Sequence, residues 1–530
     1  MSLSISSLIG ILLPFTFNSF KEMMKPFSCL AFFIFLFNYL IVKEANGSLR
    51  ELKLYEFQKG LEDKHFHYPS SFIYSSPPST SPQPSIPTSN AKKSEGGVIY
   101  PIGYGADPRG TSDSSEAIKE AINDALKLQN NGLTLLPGIS DLGGLIIDFQ
   151  GGNYKINNPI VFPPGIGNIV VKGGTLRASD TFPGDRHLIE LWSQVSPKLI
   201  KDYNISHHHS NIFDRRDQNI AIRYEGITFH DILFDSNYRG GGLYVVDSAR
   251  IRVTNSFFVH FNTEGVLVLR GHETFISNTF MGQHPTVGGD KGERDFSGIA
   301  IDLASNDNAI TDVTIFSSAI GIVLRGEANI VTGVHCYNKA TNFGGVGILV
   351  KASQNRIDNC YLDYNSIVIE DPFLVHISNG YFLGEGNIVL KAINGRIFGL
   401  NVINNMFSGN PTKMTPILSL DGVFNDIDQV VIDQNNVNGM SLKSTTGKLS
   451  VAGNGTKWIA DFSSILVFPN KINHVQYSFY CRGGVVGFPV HAITNVSSNV
   501  VVIESEKIVD GVVSVFVDQH NIVGEKNFFM

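Results

Sequence analysis

Carboxylates and cations recur in this chain at spacings that could serve a polyanionic polymer. Asp302, Arg325 and Lys351 follow the alternating runs "GIAIDL", "GIVLRG" and "GILVKA", and Glu370 and Lys391 close later ones. If Ile299 and Ile301 point inward, Asp302 points outward, and the same parity sets the four later residues in one outward row. Arg325 and Lys351 could then grip carboxylates, with Asp302 beside the reacting bond. The same row could instead be a surface salt-bridge ladder of small energetic value. The apolar set Leu267, Ala300, Val323 and Leu349 beside it would suit a partly covered face.

A second acidic group lies in "GQHPTVGGDKGERDF", which holds His284, Asp290, Glu293 and Asp295. Glu264 ends the turn before the preceding strand. Cleaving a glycosidic bond takes one carboxylic acid to protonate the leaving oxygen and one carboxylate to activate water or attack. Neighbouring carboxylates raise one another's pKa, which supplies the protonated member. Asp295 and Asp302 are the expected central acids, with Glu264 or Glu293 as partner. Arg325, Lys351 and His284 are the expected substrate contacts. A merely soluble loop is the plain alternative for the acidic stretch. The run His207–His209 reads as a solvated loop, because metal ligands come from fixed geometry rather than three consecutive residues.

Elements that could hold such residues in register follow from a repeat of about 25 residues. Apolar positions Phe229, Val253, Ile276, Ile310, Val331, Ile357, Ile377, Ile403 and Ile432 are each followed two places later by Asn, Asp, Gly or Gln. Units this short cannot bury a face alone, so they must stack. Period-2 alternation inside them means strands. A column of Asn at one corner could hydrogen-bond up the stack. The expected fold class is all-β, a parallel β-helix, whose long face suits a polymer. One step, Ile276 to Ile310, is long, and its excess is the acidic stretch. Loops that protrude from a regular solenoid tend to carry function.

The rest of the chain divides around that solenoid. Residues 1–47 read as a signal peptide: Lys21 and Lys25 precede the apolar run Phe27–Val42, and Ala45 and Gly47 follow. Met23 or Met24 is an alternative start. Residues 48–95 end in the Ser/Pro stretch "SSPPSTSPQPSIPTS" and read as a linker. The solenoid domain is expected over 96–440, and a smaller C-terminal β unit over 441–530. Asp113 and Glu116 are spaced as a capping box before Ile118, Ile122 and Leu126, so a helix should cap the open end of the stack.

A formal charge of −7 speaks against a nucleic-acid partner. A cleaved signal would leave no membrane anchor, and a monomer needing no cofactor is expected. Asn204, Asn454 and Asn495 begin sequons. Cys336 should stack over Leu362 and Cys360 over Val334, an offset that disfavours a disulfide and makes both core residues.

The stretch "YPIGYGADPRGTSDSSEAIKEAINDA" resembles the opening motif of pectate-lyase-superfamily β-helix proteins, which include the polygalacturonases. From "GQHPTVGGDKGERDFSGIAIDLASNDNAITDV" through "GVHCYNKATNFGGVGI" to "NRIDNCYLDYNSIVIEDP", the chain resembles the quartet-type polygalacturonases of plants. The resemblance implies a right-handed parallel β-helix, secretion, and cleavage of α-1,4 bonds in homogalacturonan with inversion. "NTEG" at Asn262–Gly265 matches that family's Asn-Thr-Asp-Gly, with Glu264 in place of Asp. "SSAIGIVL" stands where the family has Gly-His-Gly and holds no His, and Lys351 is the candidate for the family's later cation. A calcium-dependent pectate lyase, with Asp290, Glu293 and Asp295 as ligands, and a non-catalytic pectin-binding wall protein are the rival readings.

Overall fold

The computed structural model describes residues 91–128, 134–193, 222–283, 297–337, 345–483 and 487–521. Among them, 33 strands join through ladder pairing into one continuous sheet that winds on itself, rung over rung. The result is a right-handed parallel β-helix, the hand that crossovers between parallel strands almost always take. Its interior is a single apolar core running from Ile99 to Phe468.

The repeat is visible as register. Phe229, Val253, Ile276, Ile310, Val331, Ile357 and Ile377 stack in that order. The next member is Val402, not Ile403, and Ile432 follows it. The polar residue two places on does hydrogen-bond up the stack at one step, where Asn255 Nδ2 donates to Asp231 Oδ1, but its general task is another. Asp231, Asn255, Asn278, Asp312, Gly333, Asn359, Asn379, Asn404 and Gln434 all have positive φ. The column makes a left-handed bend between two strands, which Asn, Asp and Gly adopt at least cost. The buried hydrogen-bonded ladder lies elsewhere, at Asn308, Asn329 and Asn355. Asn329 Oδ1 accepts from the Asn308 amide at 3.1 Å, and Asn355 Oδ1 accepts from the Asn329 amide at 3.0 Å.

Helix α1 (Ser115–Lys127) caps the first coils, turning Ile118, Ala121, Ile122 and Ala125 into the core. Asp113 accepts the Ser115 amide at 3.1 Å, but Glu116 does not reach back to close the box. It pairs instead with Lys119 at 2.9 Å. The parallel ladders end with Asn436–Asn438, and an antiparallel sheet begins at Thr446. Its four strands hold a second core around Trp458, Phe462, Val501, Ile503 and Val515. Cys336 stacks on Leu362 as the repeat required, and Cys336 and Cys360 are buried free thiols. No described helix is long and apolar enough to cross a membrane.

Candidate functional site

The face with chemistry on it is one parallel ladder. Its strands are β1 (His187–Leu191), β2 (Gly241–Val246), β3 (Glu264–His272), β4 (Ile299–Asn306), β5 (Ile320–Leu324), β6 (Gly345–Val350), β7 (Asn365–Glu370) and β8 (Ile388–Lys391). Each rung steps about 4.8 Å. At the start of these strands alternation breaks: Ala300 and Ile301 both enter the core, and Ile299 does not. Alternation resumes at Asp302, which leaves the core side.

The charged row differs from the expected one. Asp302 stacks between Leu267 and Val323, in an apolar column. Arg325, Lys351, Glu370 and Lys391 run one alternation further along the strands, each C-terminal to its ladder partner column. Arg325 leans back across the rung to Asp302, with Nε to Oδ1 at 2.8 Å and Nη2 to Oδ2 at 2.7 Å. Glu370 lies between two cations, Lys351 at 3.6 Å and Lys391 at 3.2 Å. The cations expected to hold substrate are therefore paired with carboxylates of the protein itself. Asp302 is wholly buried. A general acid must touch the bond it protonates, so Asp302 serves as the anchor of Arg325 rather than as an exposed acid.

Upstream, the same face is apolar. Val246, Leu267 and Leu269 pack with Trp192, Tyr244 and Ala304 into a small outer cluster. At its edge stands Glu264, at the end of the Asn262–Gly265 turn. The turn is tied down from both sides: the Asn262 amide donates to the Gly240 carbonyl at 2.8 Å, and the Ile299 amide to the Thr263 carbonyl at 2.8 Å.

Two rungs below Glu264, in the same column, is His187. Its Nε2 lies 3.3 Å from Glu264 Oε2. The residue between them is Gly241, and a Cβ there would collide with the His187 ring and the Glu264 carbonyl oxygen. Gly240 has φ +67° and passes against the Arg186 carbonyl, and Gly242 passes against the Phe258 ring. The run "GGG" at 240–242 thus exists so that three coils can close up here, which is what a glycine inside a strand marks.

His187 is held on every other side. Its amide donates to Glu190 Oε1 at 3.0 Å, and its ring stacks on Tyr244 with centroids 5.4 Å apart. Glu190 also accepts from Arg186 Nε at 2.8 Å and Nη2 at 2.5 Å, and from the Trp192 indole at 2.7 Å. Burial pushes the Glu190 carboxyl up, but Arg186, the His187 amide and Trp192 more than offset it, so its pKa is lowered. Hydrogen bonding to Glu190 raises Arg186. Burial pushes the Tyr244 phenol up.

Of the sequence candidates, Glu264 stands at the edge of this face, Asp302 and Arg325 pair with each other, and Lys351 is tied to Glu370. His284, Asp290, Glu293 and Asp295 lie outside the described residues, as does Asn204. The described residues that flank the interval lie against the turn of Glu264: Gln283 donates to the Phe261 carbonyl at 2.8 Å, and Ser297 Oγ to the Asn262 carbonyl at 3.3 Å. Asn454 and Asn495 are exposed. Among the described residues no cluster of three or more His, Cys, Asp or Glu could hold a metal. Sequence reading missed His187 and its glycines. The three consecutive glycines at the start of a strand were the available signal.

No family model matches the chain. It is 48% identical over 454 residues to the Arabidopsis thaliana protein named Polygalacturonase QRT3, covering 84% of this chain and 87% of that one. Solved structures similar to it include the mannuronan C-5 epimerase AlgE4 A-module of Azotobacter vinelandii, at 13% identity and a TM-score of 0.43. That match covers 64% of this chain and 96% of the other. Another is the endo-xylogalacturonan hydrolase of Aspergillus tubingensis, at 12% identity and a TM-score of 0.44, covering 64% and 92%. The long match to the plant protein, carried on a parallel β-helix, shows that the chain belongs to the polygalacturonase family.

Proposed function

We propose that this protein is a secreted glycoside hydrolase that cleaves α-1,4-galacturonosyl bonds of homogalacturonan in the plant cell wall. The observation that carries the reading is Glu264, a partly exposed carboxylate at the Asn262–Gly265 turn, 3.3 Å from His187. The relationship to a plant polygalacturonase supplies the substrate class. The sequence features at the N-terminus and the exposed sequons Asn454 and Asn495 support secretion and glycosylation.

In the inverting scheme that the resemblance implies, one carboxylate takes a proton from water while a carboxylic acid on the opposite face of the sugar protonates the leaving oxygen. Glu264 is assigned to the first of these. Asp295 and Glu293 are the candidates for the second, on sequence grounds. Glu370 with its two lysines and Asp302 with Arg325 stiffen the downstream face, and Lys351 and Lys391 keep positive charge near an anionic chain.

A non-catalytic pectin-binding wall protein is the second reading. It is favoured by the column above Glu264, where Ile299, Ile320 and Val346 offer no acid, base or cation. The two readings separate on incubation of the purified secreted protein with de-esterified polygalacturonate, with and without EDTA. New reducing ends without ultraviolet absorbance, insensitive to EDTA, are expected. Absorbance that EDTA abolishes would mean a calcium-dependent lyase. Binding without new reducing ends would mean the wall-binding protein.

A further inference from the structure

His187 is 94% buried by its 6% relative exposure, and yet its Nε2 makes no hydrogen bond among the described residues. A buried imidazole nitrogen without a partner costs free energy unless something is gained from it. That nitrogen lies 3.3 Å from Glu264 Oε2. The geometry is close to a hydrogen bond without completing one, as catalytic contacts often are before substrate binds. The surroundings are built to hold the ring there. Glu190 fixes the backbone, Tyr244 stacks on one face, and Gly241 leaves the intervening rung empty.

Resting on the hydrolase reading, we infer that His187 is the positioning partner of Glu264, orienting its carboxylate and exchanging a proton with it through Nε2. The chain has isoleucine at Ile299 and Ile320 on the downstream side of Glu264, so its histidine approaches from the upstream side. The reacting bond accordingly lies over the upstream coils, where Trp192 and Tyr244 border the face. In hydrolysis the water oxygen bonds to the anomeric carbon and its proton passes to Glu264. The glycosidic C–O bond breaks, and the leaving oxygen takes a proton from a carboxylic acid on the far side of the sugar. The proton on Glu264 is then shared with His187 and released to solvent from the Glu264 side, the more exposed of the two, while the far-side carboxylate takes up a proton from solvent, so both acids return to their starting states.

The test uses the full secreted chain and de-esterified polygalacturonate, with variants H187A, H187Q and E264Q. H187A should lower kcat by roughly 10²-fold with little change in KM. H187Q keeps a hydrogen-bonding group but no titratable one. It should recover part of kcat while the pH–rate profile changes shape. A companion measurement needs no turnover: ¹⁵N spectra of histidine-labelled protein, with the His187 signal identified by its loss in H187Q. Its Nε2 shift should move in E264Q. Coupling in the spectra with no cleavage by the wild type would keep the pair and reject the hydrolase reading. An unchanged kcat and pH profile in H187A, or an Nε2 shift indifferent to E264Q, would overturn the inference.

Discussion

Arg325 meets both oxygens of Asp302 across adjacent strands, Nε at 2.8 Å and Nη2 at 2.7 Å, and Asp302 has no exposed surface. Such a pair is neutral in balance only while both members are present, because a lone charge at that depth keeps its desolvation cost. Replacing Arg325 alone (R325A) should lower stability by about 3–5 kcal/mol. The double variant D302L/R325M should recover most of the loss. Urea unfolding of the three proteins measures both effects.

Glu190 offers a pH-dependent counterpart. Its folded pKa is lowered, so its contribution to stability is present above the unfolded value of about 4.3 and is lost as pH falls through the folded one. E190Q should therefore melt well below the wild type at pH 7. The gap should narrow steadily as pH drops below about 4. Thermal melts across that range decide it, and a gap that does not change with pH would show that Glu190 acts by shape alone.

Asn359 has φ +53°, and its neighbour one rung back in the bend column is Gly333, at φ +65°. Its side chain is exposed, so its value lies in the backbone conformation. N359A should cost about 1–2 kcal/mol. N359G should stay much closer to the wild type, since glycine carries no Cβ penalty there. Equal losses in the two variants would show that the side chain, not the bend, matters.

The thiols should divide by burial. Burial raises Cys336 strongly, and Cys360 is pushed up to about 12, so neither forms thiolate at neutral pH. Cys481 is partly exposed. Alkylation of native protein at pH 8 should label Cys481 first, and Cys336 and Cys360 only on unfolding. Peptide mapping before and after denaturant reads the order.

The solenoid was legible because its physics is local and repeated. Alternation, the length of a coil and the polar bend residue each recur at a fixed spacing, so Phe229 through Ile377 could be stacked from the sequence alone. The offset of Cys336 from Cys360 followed from the same register. One slip, Ile403 for Val402, came where a longer strand, Arg396–Ile403, hides the point at which the bend begins.

What the tertiary structure alone decided was who meets whom across rungs. Glu264 was visible in "NTEG", but His187 lies in a segment with no repeat grammar and reaches it only because Gly241 leaves the rung between them empty. Parity along a strand sets a face, and Asp302 and Arg325 do share one, but parity does not say which positions on that face stack. Arg325 stands one alternation beyond the column of Asp302 and Val323 and leans back onto the buried Asp302. A repeat fixes spacing along the chain, whereas a site depends on side-chain reach, local bulges and the volume a missing Cβ leaves, and those exist only once the coils are stacked.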